Sequence, residues 1–255
     1  MTDTHSHLYL SDFDADRAQC MERAIAAGVT RLVLPNVDLD SIPRMRAMHA
    51  LWPDNTRMAM GLHPTELGPD DSALQTVMAE LDQHLEDYVA VGEIGVDLYW
   101  DASQAERQMR VFDAQVARAV ELDLPVLIHS RNALDQTLEV LETYRGRVRG
   151  VMHCFGGTDA DVDAVRRRAG DFYFGIGGVL TFKNSGLGAT VPAIGLERIL
   201  LETDCPWLAP VPWRGKRNES AMLPAVADRL AAILGIEKAE VDRVTSANSI
   251  DLLGF

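Results

Sequence analysis

Eight short apolar runs, rich in β-branched residues, alternate with segments of helical periodicity along the whole chain. The runs fall at residues 2–8, 31–36, 57–63, 89–95, 125–130, 150–155, 171–177 and 199–204. Runs of this length and composition read as buried strands. Between them, apolar residues recur at helical spacing. Leu74, Val77, Met78, Leu81 and Leu85 form one stripe, and Met109, Phe112, Val116 and Val120 a second. Leu134, Leu138 and Leu141 form a third, and Val226, Leu230 and Ile233 a fourth. Ser103 with Glu106 has the spacing of a capping box, and Gly28 is placed to stop the first helix. Strand–helix alternation is built either as a closed barrel or as an open doubly wound sheet. No glycine-rich dinucleotide loop or phosphate-binding loop follows the first run, which weakens the open-sheet versions. With 255 residues the chain has the length of one barrel, and no linker or low-complexity tract divides it. We therefore expect a single-domain (β/α)8 TIM barrel of class α/β over residues 1–255.

A barrel of this kind gathers its functional side chains at the C-terminal ends of several strands. The unusual polar residues of this chain fall there. His5 and His7 close the first run; as alternate residues of an extended segment they share a face and can hold one metal ion. His63, Glu93, His129, His153 and Asp204 end or lie near the ends of five later runs. Five of the seven histidines thus stand at strand ends, while His49 and His84 fall in helical segments. A buried imidazole is usually a satisfied core residue, and an unpaired buried carboxylate is costly. A ring of both in apolar strands points instead to ligands for divalent cations. Asp3 shares the face of His5 at a deeper level; it either orients an imidazole or pairs within the barrel floor.

The three cysteines, Cys20, Cys154 and Cys205, are odd in number and widely spaced, which points to a reducing, cytosolic setting without a disulfide framework. Strand alternation would turn Cys154 away from the face that carries His153, so a structural role is expected for it and for Cys205. No apolar run is long enough for a membrane helix, and residues 1–10 lack the basic-then-apolar pattern of a secretory signal. The net charge of −14 argues against a broad nucleic-acid grip built on many phosphate contacts. It leaves room for a local cationic site, and bound divalent ions reduce the negative charge near the mouth.

Taken in order, Asp3-Thr4-His5-Ser6-His7-Leu8, Gly61-Leu62-His63-Pro64, Gly92-Glu93-Ile94-Gly95-Val96-Asp97, Ile128-His129-Ser130-Arg131, Met152-His153-Cys154-Phe155 and Glu202-Thr203-Asp204-Cys205-Pro206 resemble the motifs of the TatD-type metal-dependent deoxyribonucleases, within the amidohydrolase-like barrels. The resemblance runs through Arg214-Gly215-Lys216-Arg217-Asn218-Glu219. Ser220 stands where the family has proline, an exchange expected to loosen that last loop. The resemblance implies a nuclease that releases nucleotides from DNA ends, often 3′ to 5′, with two divalent metal ions. It assigns His5, His7 and Asp204 to one metal, Glu93 to a bridge, and His129 and His153 to the second. His63 resembles a histidine beside the substrate phosphate, with Arg131 or Arg217 holding non-bridging oxygens. Asp204 is the expected base for a metal-activated water. The His-rich donor set suits Zn, Mn, Fe or Ni, whereas the resemblance points to Mg for activity. Trp100, Trp207 and Trp213, with Arg214, Lys216 and Arg217 beside the last two, suit unstacked bases of single-stranded DNA ends. The competing expectations are a phosphotriesterase, lactonase or amidase on the same barrel, and a metal-dependent binding protein without turnover.

Overall fold

The computed structural model describes residues 1–255. Eight parallel strands pair strictly in chain order. They are β1 (Thr2–Asp3), β2 (Arg31–Pro35), β3 (Thr56–Met60), β4 (Tyr88–Asp97), β5 (Val126–Arg131), β6 (Gly150–Met152), β7 (Tyr173–Ile176) and β8 (Ile199–Leu201). The ring closes through residues just past the first and last strands. The amide of Thr4 donates to the Leu201 carbonyl at 3.0 Å, and that of Asp204 to His5 at 2.9 Å. A parallel bridge then joins Ser6 to Cys205. Helices α1 (Arg17–Ala26), α2 (Ser41–Leu51), α3 (Ser72–Gln83), α4 (Ala105–Glu121), α5 (Leu134–Glu142), α6 (Asp159–Arg168), α7 (Leu187–Ile194) and α8 (Leu223–Leu234) follow the strands in turn, and α9 (Lys238–Leu253) ends the chain. This is the (β/α)8 barrel that the alternation implies.

The barrel interior takes one residue from each of β2 to β8: Val33, Ala59, Ala90, Leu127, Val151, Tyr173 and Leu200. Leu252, Leu253 and Phe255 pack against this layer, so the C-terminal end of α9 plugs the floor. Side chains of a strand alternate, so two residues beyond an inward apolar residue the chain faces inward again. Leu127 leads to His129, Val151 to His153, and Leu200 to Glu202 and Asp204 by this rule.

The strands end three or more residues before their apolar runs at β1, β3, β6 and β8. The polar residues at the mouth leave the regular ladder: Cys154 and Asp204 take left-handed backbone, with φ of 46° and 54°. β4 runs longer than expected, to Asp97, and its pairing with β5 shifts register between Val91 and Ile94. That shift matters for Glu93, which strict alternation from the inward Ala90 would turn outward. Gly28, at φ 83°, stops α1 as expected. The Ser103–Glu106 capping box does not form; Asp101 accepts the Ser103 amide at 2.9 Å and caps a short 3-10 turn ahead of α4. Asp101 wins because its short carboxylate lies two residues before the free amide, the geometry of an Asx turn.

Candidate metal centre at the barrel mouth

Glu93 is the hub of the mouth, and its two oxygens face two different sets of nitrogens. Oε2 lies 3.1 Å from His5 Nε2 and 3.6 Å from His7 Nε2. Oε1 lies 2.9 Å from His129 Nδ1, 3.6 Å from His63 Nε2 and 3.8 Å from His153 Nε2. Asp204 joins the two sets: its Oδ1 is 3.5 Å from His7 Nε2 and 3.7 Å from His153 Nε2. The ligand-type residues expected from the sequence, His5, His7, Glu93, His129, His153 and Asp204, therefore converge on one spot.

Outer partners set which ring nitrogen faces that spot. The Tyr9 hydroxyl donates to the Pro35 carbonyl at 2.5 Å. Its oxygen, 2.9 Å from His7 Nδ1, is thus left to accept the imidazole proton, and Nε2 turns a lone pair inward. Asp97 Oδ2 holds His129 Nε2 at 2.9 Å, which leaves Nδ1 for the centre. Glu202 Oε1 lies 3.1 Å from His153 Nδ1 and accepts the Cys154 amide at 2.6 Å, which leaves His153 Nε2 inward. Asp97 is itself clamped by Gln108 of α4, whose amide group takes the Asp97 N–H at 2.7 Å and meets its carbonyl at 2.9 Å. His5 Nδ1 is buried and unpartnered, and His153 Nδ1 has Glu202 beside it as a charge partner without hydrogen-bond alignment.

Charge follows from this packing. Burial and the nearby His153 keep His5 below the usual imidazole range, hence neutral. Burial likewise pushes His63 down to about 4. At His129 burial acts downward too, but the hydrogen bonds to Asp97 and Glu93 overcome it and raise the ring to about 9. At His153 burial is outweighed by Glu202 and Asp204, which raise it to about 10. Burial would lift Glu93 and Asp204, yet the surrounding imidazoles hold both carboxyls below their ordinary values. Buried carboxylates ringed by inward imidazole nitrogens are a donor set that fits divalent cations.

The remaining expected residues divide. His63 and Arg131 line the cavity of about 640 Å³ above the centre, along with Trp100 and Trp207. Arg131 lies over the Tyr99 ring at 3.7 Å and forms no ion pair. Arg217 does not reach the cavity. Its guanidinium forks onto Asp16 at 2.8 and 2.6 Å and stacks on Phe13, because the residue that precedes α1 offers it a carboxylate. Arg214 stacks on Phe182 at 4.2 Å, and Trp213 is half-buried away from the cavity lining. The basic loop is therefore no phosphate clamp in this arrangement.

Two further expectations change, and one open alternative is resolved. Cys154 does face the cavity, within 4.8 Å of ligand atoms of His153 and Asp204, because the strand has already ended and φ is positive there. Burial raises its thiol far above the usual range. Ser220 tightens the last loop rather than loosening it: it is buried, and its hydroxyl meets Ser6 Oγ at 3.2 Å. Asp3 belongs to the floor alternative, with its carboxylate accepting the Thr203 amide at 2.9 Å and hydroxyl at 2.6 Å. Sequence reasoning missed Asp97, Glu202 and Tyr9 as partners of the imidazoles. Glu202 carried a signal, since it shares the inward face of Asp204.

The family described as TatD related DNase matches residues 2–254. A Bacillus subtilis relative described as an uncharacterized metal-dependent hydrolase, YabD, is 37% identical over 97% of this chain and 96% of its own length. The Escherichia fergusonii 3'-5' ssDNA/RNA exonuclease TatD is 33% identical over 100% of this chain and 99% of its own. Among solved structures, the TatD homolog YJJV of Escherichia coli K12 superposes with a TM-score of 0.92 at 29% identity, covering 100% of this chain and 98% of that one.

Proposed function

Because this chain belongs to the TatD-related DNase family of metal-dependent hydrolases, we propose that it is a two-metal exonuclease that removes nucleotides from single-stranded DNA ends in the 3′ to 5′ direction. The observation that carries the reading is the split of Glu93, one oxygen toward His5 and His7 and the other toward His129 and His153. One cation would be held by His5, His7 and Asp204, the other by His129 and His153, with Glu93 shared. Bound divalent cations supply Lewis acidity that activates water and stabilises charge at a phosphodiester. The family and the name of the E. fergusonii relative support a nucleic-acid substrate.

The chain's own residues do the rest. Asp204, ionised at neutral pH and 16% exposed at the cavity side, is placed to take a proton from the attacking water. His63 faces the cavity from its wall, its Nδ1 held by the Thr65 hydroxyl at 2.7 Å and the Thr65 amide at 3.2 Å, and this sets the ring beside a bound phosphate. Arg131, free of any carboxylate, offers a cation from the adjoining wall. Asp97, Glu202 and Tyr9 keep the imidazoles in the tautomers that cation binding needs.

The test is a gel of end-labelled single-stranded and duplex DNA with Mg, Mn or Zn, beside Asp204→Asn. Stepwise shortening from the 3′ end, lost in Asp204→Asn, is the expected result. Intact strands with every metal, on protein shown to have bound the ion, would instead favour small phosphate or carboxylate esters as substrates. Tight binding of DNA without cleavage would revive a binding role.

A further inference from the structure

Trp100 is the most exposed large apolar side chain of the protein at 70%, and Tyr99 beside it is 54% exposed. Neither exposure reflects a loose loop. Asp97 Oδ1 accepts the backbone amides of both, at 2.9 Å from Tyr99 and 3.1 Å from Trp100. Arg131 braces the pair from β5, 3.7 Å over Tyr99 and 5.6 Å from the Trp100 ring. The indole is thus held out into solvent by the same carboxylate that orients His129.

It also divides two spaces. Trp100 lines the catalytic cavity, and with Thr65 and Asp97 it lines a second, smaller cavity of about 220 Å³ toward Pro64, Gly68 and Gln104. That volume is below the roughly 300–1,000 Å³ of pockets that hold a whole drug-sized ligand. It is the scale of a single flat ring system. Gln104, exposed at the head of α4 and making no capping hydrogen bond there, lines this second space with its side-chain amide.

We propose that Trp100 is the wall between two nucleotide subsites: the terminal nucleotide occupies the catalytic cavity, and the next base stacks on the far face of Trp100 in the second cavity. The proposal rests on the single-strand exonuclease reading above. Two bases gripped on either side of an indole are unstacked from each other, so a paired duplex end does not fit. Stacking on an aromatic side chain is tolerant of base identity, so the grip favours single strands without sequence choice.

The experiment compares an intact oligodeoxynucleotide with one abasic at the penultimate position, using wild type, Trp100→Ala and Trp100→Phe loaded with metal. Binding is read by fluorescence anisotropy on strands with phosphorothioate terminal linkages, and cleavage on ordinary strands. Wild type should prefer the intact strand about tenfold in affinity and in KM, with kcat little changed. Trp100→Ala should abolish that preference and Trp100→Phe keep most of it. Equal binding of both strands by wild type, or an equal loss on both in Trp100→Ala, would overturn the proposal. Failure of wild type to shorten any strand would instead overturn the exonuclease reading, while the anisotropy comparison still decides the subsite.

Discussion

At the residue scale the centre is an arrangement of pairs, with His7, His129 and His153 each set beside a second group. Glu93 turns one oxygen to each nitrogen set, whereas Asp204 reaches both through a single oxygen at longer range. Glu93→Ala should therefore lower bound metal from two equivalents toward none and reduce turnover more than His5→Ala does. Elemental analysis alongside kinetics checks this, and full metal content in Glu93→Ala would refute the bridge. Asp97→Asn removes only the partner of His129 Nε2. Loss of such a partner costs about 10–100-fold in metal affinity or activity, and a competitive metal titration should register a drop of that size. Arg217→Ala and Arg131→Ala form a contrasting pair. Arg217 serves an ion pair at the surface, where such pairs contribute about 0–1 kcal/mol, so its loss should lower stability slightly and leave KM within about twofold. Arg131→Ala should raise KM for DNA several-fold; the reverse ranking would mean that the basic loop, not β5, meets the phosphate.

At the element scale, β4 and β5 set the position of the shared carboxylate. The Val91–Ile94 register shift turns Glu93 inward, and Gly95 lets β4 pass against β5 beside His129. A β-carbon at Gly95 would lie 1.8 Å from the His129 carbonyl oxygen, and its φ of 150° disfavours any side chain. Backbone strain and overpacking of this kind each cost about 1–3 kcal/mol. Gly95→Ala should thus lose at least about 2 kcal/mol in chemical denaturation and bind metal poorly; a variant as stable as wild type would show that the strands can separate locally. α4 works from the outside of the same wall. Its buried Gln108 clamps Asp97, and its buried Gln115 accepts the Leu62 amide at 2.8 Å, next to His63. No helix is long and apolar enough to cross a membrane.

At the scale of the whole molecule, metal and protons compete for one set of sites. In the metal-free protein His129 and His153 are raised to about 9 and about 10, above the unfolded value near 6.5. Their protonation therefore favours the folded state below about pH 6.5, and that contribution is lost as pH rises through 9 and 10. Asp3, raised by burial to about 6, acts in the same direction but has given up its contribution by neutral pH. Glu93 and Asp204 are lowered and act oppositely, losing their contribution as the solution becomes acid. The Tm of metal-free protein should fall between about pH 8 and 10, and the rise in Tm on adding metal should grow over that interval, because cations take the place of the protons. Calorimetry with and without chelator tests this. A metal-induced shift that shrinks with pH would contradict the proton assignments.

The division between what was legible and what was not follows from the range of each interaction. The alternation of apolar runs determined the barrel, because burial of both faces of a strand leaves its mark on consecutive residues. The ring His5, His7, His63, Glu93, His129, His153 and Asp204 was legible for a related reason: burying a polar residue at the end of an apolar run is costly unless it meets a partner or a ligand. Local geometry was less secure where it left the ladder. Cys154 was misplaced because alternation was extended past the last strand residue, Met152. Arg217 was misplaced because its partner Asp16 is 201 residues away, and nothing in the loop announces it. The outer carboxylates were missed for the same cause: Glu202 meets His153 across 49 positions, and Asp97 meets His129 across 32. Period and composition record what a residue does with its neighbours in the chain. Which ring nitrogen faces the centre, which cation stays free and which indole stands between two cavities depend on contacts between distant strands, and those only the closed barrel decides.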